Sequence, residues 1–207
     1  MSAVAAVVSQ QGAVLLSDGI TFRVPEDLSV HEDLKRSDFE IVDTDKPKIF
    51  KVNDRVGVSW VGNIIGEIQQ QITGCGQTPK QVGNWLSEQL KSYHRGKQYL
   101  LGRDNYNILI GVTGFDEGGT PWGIDISSKH NFTPNAVQLA QGGLQTMCRI
   151  PFVEGNDSMF DLLLEERNKL TTDPEELSRR AFTEMIRYYE DKDHIVGGQI
   201  FSFRLYP

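Results

Sequence analysis

The chain opens on two apolar runs separated by a polar turn. Ser2-Ala-Val-Ala-Ala-Val-Val leads to Ser9-Gln-Gln-Gly, and Ala13-Val-Leu-Leu-Ser-Asp18 follows. This pattern predicts a hairpin of two strands, about Ala3–Val8 and Ala13–Asp18, the second ending in a carboxylate. A second hairpin is expected from Lys48-Ile-Phe-Lys-Val52, a turn at Asn53-Asp54, and Arg55-Val-Gly-Val-Ser-Trp-Val61, closed by Gly62. Ile64, Ile65, Ile68 and Ile72 then recur at helical spacing up to Gly74. A second helix starts near Thr78 with Pro79 in its first turn and Val82, Trp85, Leu86 and Leu90 on one face. Tyr106–Thr113 and Trp122–Ile126 form a third hairpin across Asp116-Glu-Gly-Gly. A short strand near Ala136–Ala140 leads into Gln141-Gly142-Gly143. Helices are expected at about Ser158–Asn168 and Asp173–Asp191, and a last strand over Gly198–Tyr206. Residues 19–46 read as polar and irregular, a surface excursion or an ordered loop with a local job.

The order is strands, two helices, strands, two helices, strand. Hairpins dominate, so a parallel sheet of βαβ units is not expected. The order fits an α+β fold, a four-layer αββα sandwich of two antiparallel sheets flanked by helices, in one domain spanning 1–207. There is no internal repeat, low-complexity segment or linker.

The 207 residues suit a single domain that buries roughly 70% of its unfolded surface. A net charge of −7 leaves no basic patch to offset phosphate repulsion, so a general nucleic-acid binder is not expected. Cys75 and Cys148 are the only cysteines, far from a disulfide framework. No apolar run approaches the roughly 18 residues of a membrane span, and the N-terminus carries neither a basic region nor a cleavage-site pattern. A cytoplasmic protein with reduced thiols is the expectation, with no nucleic acid and no membrane as partners.

The chemistry concentrates at Ser2. If Met1 is removed, Ser2 carries a hydroxyl and a free α-amine on one residue, a nucleophile with a base beside it. An α-amine titrates near ~7.7–8.0, so it is a usable base near neutral pH. Such a site also needs a cation, a carboxylate to hold the cation, and an oxyanion donor. Lys48 opens the third strand and Asp18 ends the second, so an ion pair is expected where these strand ends meet. Gly62, at a strand-to-helix junction, could point its N–H at a developing oxyanion.

These residues resemble a proteasome β-type subunit, a family that includes bacterial relatives and a two-ring ATP-dependent bacterial protease. The spacing from Ser2 to Asp18 equals that from nucleophile to aspartate in the family, and Gly12 falls on its turn glycine. Lys48-Ile-Phe-Lys-Val is similar to its lysine strand, displaced by an insertion within 19–46. Trp60-Val-Gly62 is similar to the segment ending in the oxyanion glycine. Lys192-Asp193-His-Ile-Val-Gly197-Gly198 is similar to its late segment, with an aspartate four residues before two glycines. The resemblance implies an N-terminal nucleophile hydrolase. In it Ser2 is nucleophile and α-amine, Asp18 and Lys48 are catalytic, Asp193 supports the terminus, and Gly62 is the oxyanion glycine. Phe22 and Trp60 fall on substrate-binding positions, Trp60 at the floor of a shallow pocket for small side chains. The family also implies peptide or unfolded-protein substrates, a homo-oligomeric ring, an ATP-dependent unfoldase as partner, and neither cofactor nor metal.

Several positions depart from the family. Its threonine nucleophile is Ser2 here, which lacks the γ-methyl. Its two supporting serines fall on Gly142 and Val196, and its arginine and threonine after the first aspartate fall on Ile20 and Phe22. The Phe22 backbone could still pair with an extended substrate. These departures keep two other readings open: a non-catalytic ring or scaffold subunit, and an amidohydrolase for small amides on the same architecture. Other candidates read as structural. Ser59 lacks Gly-x-Ser-x-Gly spacing, so it is a strand hydroxyl. Cys75 follows a helix with no histidine to activate it. His31, His94, His130 and His194 show no metal-ligand spacing, although His194 beside Asp193 could tune the site.

Overall fold

The computed structural model describes residues 3–23, 35–62, 66–95, 108–139, 145–149, 156–167 and 173–207. Along the chain these form strands β1 (Val4–Ser9), β2 (Gly12–Ser17), β3 (Thr21–Arg23), β4 (Glu40–Asp43), β5 (Ile49–Lys51) and β6 (Val56–Val61). Helices α1 (Gly66–Gln71) and α2 (Pro79–Arg95) follow, then β7 (Leu109–Phe115), β8 (Pro121–Ser127), β9 (Asn135–Gln138) and β10 (Gln145–Arg149). The chain ends with α3 (Asn156–Arg167), α4 (Pro174–Glu190) and β11 (Phe201–Leu205). The strands make a four-stranded sheet in the order β10-β1-β2-β11, a five-stranded sheet in the order β5-β6-β7-β8-β9, and a two-stranded ribbon β3-β4. The α+β class with antiparallel sheets and helices is as the element order predicted.

The chain divides into two compact units. The first comprises residues 1–7, 14–49 and 146–203. Ala3, Ala5 and Val7 of the first strand, with Val14 and Leu16 of β2, join Phe160, Leu164, Phe182, Met185 and Tyr189 of α3 and α4 in one apolar core. Both faces of β1 and β2 are buried, which is why these strands read as unbroken apolar runs and not as alternation. α4 starts where Asp173 accepts a hydrogen bond from the Glu175 N–H, with Pro174 next in line.

The second unit comprises residues 8–13, 50–145 and 204–207. Val56, Val58 and Trp60 of β6, Ile110 and Val112 of β7, and Ile124 and Ile126 of β8 pack with Ile68, Ile72, Val82, Leu86 and Leu90. The latter three share one face of α2, as their spacing predicted. A reciprocal cap opens that helix. Gln81 Oε1 accepts from the Thr78 N–H at 3.2 Å, and Thr78 Oγ1 accepts from the Gln81 N–H at 3.4 Å. The β7–β8 turn is closed by Asp116, whose carboxylate accepts from Gly118 N–H, Thr120 N–H and the Trp122 indole N–H.

Three expectations are corrected. The segment 19–46, polar and irregular by its pattern, contains a two-stranded ribbon. Thr21, Phe22 and Arg23 pair antiparallel with Asp43, Ile41 and Glu40. β10 had not been expected either. The last strand begins at Phe201, because Gly198 and Gln199 are drawn into backbone contacts elsewhere in the first unit: the Gln199 N–H donates to the Thr44 carbonyl at 2.8 Å. Ile64 and Ile65, and Gly142 with its neighbours, lie outside the described residues. Among the described residues no helix is long and apolar enough to cross a membrane.

Candidate active site

Asp18 directly follows β2 and has no exposed surface. Its Oδ1 accepts from the Ala3 N–H at 3.0 Å and its Oδ2 from the Gly197 N–H at 3.1 Å. The Asp18 N–H donates to the Ala3 carbonyl at 3.0 Å, so backbone and side chain together close the open end of the β1–β2 hairpin. Burial raises the carboxyl to about 7. The Gly197 N–H, the charge of Lys48 and the Ala3 N–H all pull it back down without prevailing.

Lys48 is 3% exposed at the entry to β5. Its backbone N–H donates to Ser17 Oγ at 3.1 Å, tying it beside the end of β2. Its Nζ donates to three oxygens: the Lys46 carbonyl at 2.9 Å, Thr21 Oγ1 at 3.0 Å and the Ile20 carbonyl at 3.3 Å. The expected Asp18–Lys48 ion pair is therefore corrected. The carboxylate is occupied by backbone N–H groups and the ammonium by oxygens of residues 20, 21 and 46. The two charges act on each other across the buried space without direct contact. Burial lowers the Lys48 ammonium, and the Asp18 charge opposes that shift.

A late loop supplies the second N–H to Asp18. Gly197 and Gly198 take φ of +136° and +79°, where side-chain-bearing residues are strained. A Cβ on Gly198 would sit 2.5 Å from the Thr44 carbonyl oxygen, so only glycine fits this approach. The Gly197 carbonyl accepts from the N–H groups of Gly19 and Ile20. Arg36, from the segment read as an insertion, braces the loop. Its guanidinium pairs with Glu190 and donates to the Val196 carbonyl at 3.3 Å, while its N–H donates to the Asp193 carbonyl at 2.8 Å.

The remaining sequence-derived residues divide clearly. Ser2 and Gly142 lie outside the described residues. Asp193 has an exposed side chain and a left-handed φ of +62°, and its backbone is what enters the network described here. Val196 is 1% exposed in the apolar core of the first unit. Phe22 packs edge-to-face on Phe39 at 5.9 Å, and one edge of its strand is already taken by β4. His194 packs on Tyr189, 5.4 Å between ring centres. In the second unit, Gly62 leaves β6 at φ +102°. Trp60 is 1% exposed within the apolar core. Ser59 Oγ donates to the Gly111 carbonyl within the sheet, and burial raises the Cys75 thiol to about 11, both in keeping with structural roles. Sequence reasoning missed Thr21 and Arg36. Thr21-Phe-Arg and Glu40-Ile-Val-Asp are β-prone tripeptide and tetrapeptide runs, the one local signal that the segment is ordered.

Fold and site together define an α+β protein of antiparallel sheets and helices, with a buried carboxylate and a buried ammonium at adjoining strand ends. Among solved structures, the chain is similar to the crystal structure of eukaryotic HslV from Trypanosoma brucei, with a TM-score of 0.56, 13% identity, and 99% of each chain covered. At that identity the likeness is one of fold. No protein-family model matches the chain, and no curated protein matches it.

Proposed function

We propose that this chain is a proteasome-type peptidase that uses Ser2, exposed by removal of Met1, as its nucleophile. The observation that carries the reading is the hydrogen bond from the Ala3 N–H to buried Asp18. It fixes the backbone one residue after Ser2 to the carboxylate that also acts electrostatically on Lys48. HslV, an N-terminal nucleophile protease of the proteasome type, supports the reading through its shared fold.

In this mechanism Ser2 Oγ attacks the peptide carbonyl, and Lys48 and the Ser2 α-amine share the handling of its proton. Lys48, with all three ammonium donors engaged by oxygens, serves as the cation that favours the alkoxide and the neutral amine. The Gly62 N–H stabilises the oxyanion, and Asp193 supports the terminus. The proton returns to the leaving amine, and water then cleaves the acyl ester, regenerating Ser2 and releasing a carboxylic acid. Phe22 borders the substrate. The active form is a homo-oligomeric ring that encloses its sites, fed by an ATP-dependent unfoldase, and it needs neither cofactor nor metal.

Val196 favours a second reading, a non-catalytic ring subunit, because an apolar core residue stands where the family places a supporting hydroxyl. Incubation with a peptide epoxyketone, followed by intact mass and peptide mapping, separates the two. One adduct on Ser2 of a chain lacking Met1 is the expected result. A chain that keeps Met1 and takes no adduct moves the assignment to the scaffold.

A further inference from the structure

The three partners of Lys48 Nζ differ in kind. The Ile20 and Lys46 carbonyls can only accept a hydrogen bond, so they serve any N–H that points at them. The Thr21 hydroxyl, 3.0 Å away, can accept or donate. When Lys48 is an ammonium, three N–H groups meet three oxygens and none is left unpaired. When Lys48 is a neutral amine, two N–H groups keep the carbonyls and a lone pair remains. Thr21 alone of the three can rotate its O–H into that lone pair. With Nζ removed from solvent, no water need enter to satisfy either state.

We propose that Thr21 is a positioning residue for Lys48, its hydroxyl reversing the direction of one hydrogen bond so that both protonation states of Nζ stay fully paired in the buried site. No proton passes to Thr21; only the O–H bond rotates. The segment after Asp18 thus contributes a side chain as well as backbone. The charged groups that act on Nζ are Asp18, Lys46 and Asp43, and the hydroxyl works within their combined field. The catalytic meaning of this arrangement rests on the peptidase reading, but the hydrogen-bond reversal does not.

The test reads Lys48 directly. Protein labelled with ¹³C at lysine Cε is titrated by NMR, with the Lys48 signal assigned by its loss in Lys48→Arg. Thr21→Val keeps the shape of the side chain and removes the hydroxyl. An ammonium loses a charge-assisted bond on this change while an amine loses a weaker neutral one. The Lys48 ionisation constant should therefore rise about tenfold, its midpoint moving to lower pH. Thr21→Ser, which restores the hydroxyl, should titrate within about twofold of the wild type. If Thr21→Val does not fold, Thr21→Ala replaces it and is read in the same way. A Lys48 midpoint unmoved by loss of the hydroxyl, or moved equally by Thr21→Ser, overturns the proposal. A normal Thr21 effect with no epoxyketone adduct at Ser2 would instead remove the peptidase reading and leave this one standing.

Discussion

Ala3 and Asp18 hold each other twice: the Ala3 N–H donates to Asp18 Oδ1 and the Asp18 N–H donates to the Ala3 carbonyl, both at 3.0 Å. A single residue thereby closes a hairpin, buries a carboxylate and fixes the backbone beside Ser2.

Replacing Asp18 by Asn should be costly although the shape is nearly unchanged. The carboxyl group presents an accepting oxygen to both Ala3 and Gly197 whether or not it carries a proton, whereas an amide offers one oxygen and must turn an NH₂ toward the other N–H. A buried donor left facing a donor costs about 1–3 kcal/mol. The melting temperature of D18N should fall by several degrees.

The same carboxyl should make stability depend on pH. It is raised to about 7 in the folded protein, chiefly by burial, against about 3.9 in an unfolded chain. The folded state therefore holds this proton more tightly. The resulting stability is complete below about pH 4 and is lost as pH rises through about 7. Urea midpoints of wild type and D18N at about pH 5 and about pH 8 should differ more at the acid value. A difference independent of pH would show that Asp18 keeps an ordinary carboxyl.

Gly198→Ala adds a Cβ 2.5 Å from the Thr44 carbonyl oxygen at a φ of +79°. Backbone strain of about 1 kcal/mol or more adds to a steric overlap that only main-chain movement can relieve. Chemical denaturation should show a loss of about 2–4 kcal/mol. Gly66→Ala, at a position where nothing lies within 4 Å of the new Cβ, should show no such loss.

Arg36→Ala removes both the Glu190 ion pair and the hydrogen bond to the Val196 carbonyl. The site is partly buried, so a loss of about 1–2 kcal/mol is expected. Arg36→Lys should recover only part of it, since an ammonium cannot reproduce the guanidinium fork. A double-mutant cycle with Glu190→Gln, read by denaturation, should give a favourable coupling; strict additivity would mean the bridge contributes nothing.

Much of this was legible in local sequence. The apolar runs of the first hairpin, the Val82–Leu86–Leu90 face, the helix start at Thr78-Pro79 and the Asp116 turn each follow from residues a few positions apart. β3 and β4 were not legible, because short strands with exposed or half-exposed side chains carry too little pattern to outweigh polar surroundings; β10 is a five-residue strand and equally short on pattern. The site was legible only as candidates. Sequence order put Asp18 and Lys48 at strand ends and drew an ion pair between them. Folding instead gave Asp18 the N–H groups of Ala3 and Gly197, 15 and 179 residues away in the chain.

The sequence by itself determined which residues are apolar, where the first hairpin and the longer helices lie, and which few polar residues stand near strand ends. Tertiary structure decided who partners whom there. A buried charge takes whatever donor or acceptor the surrounding backbone presents, and that backbone arrives from distant segments such as Arg36 and the Gly197-Gly198 loop. Such pairings are paid for by burial of the whole unit, so no local pattern encodes them.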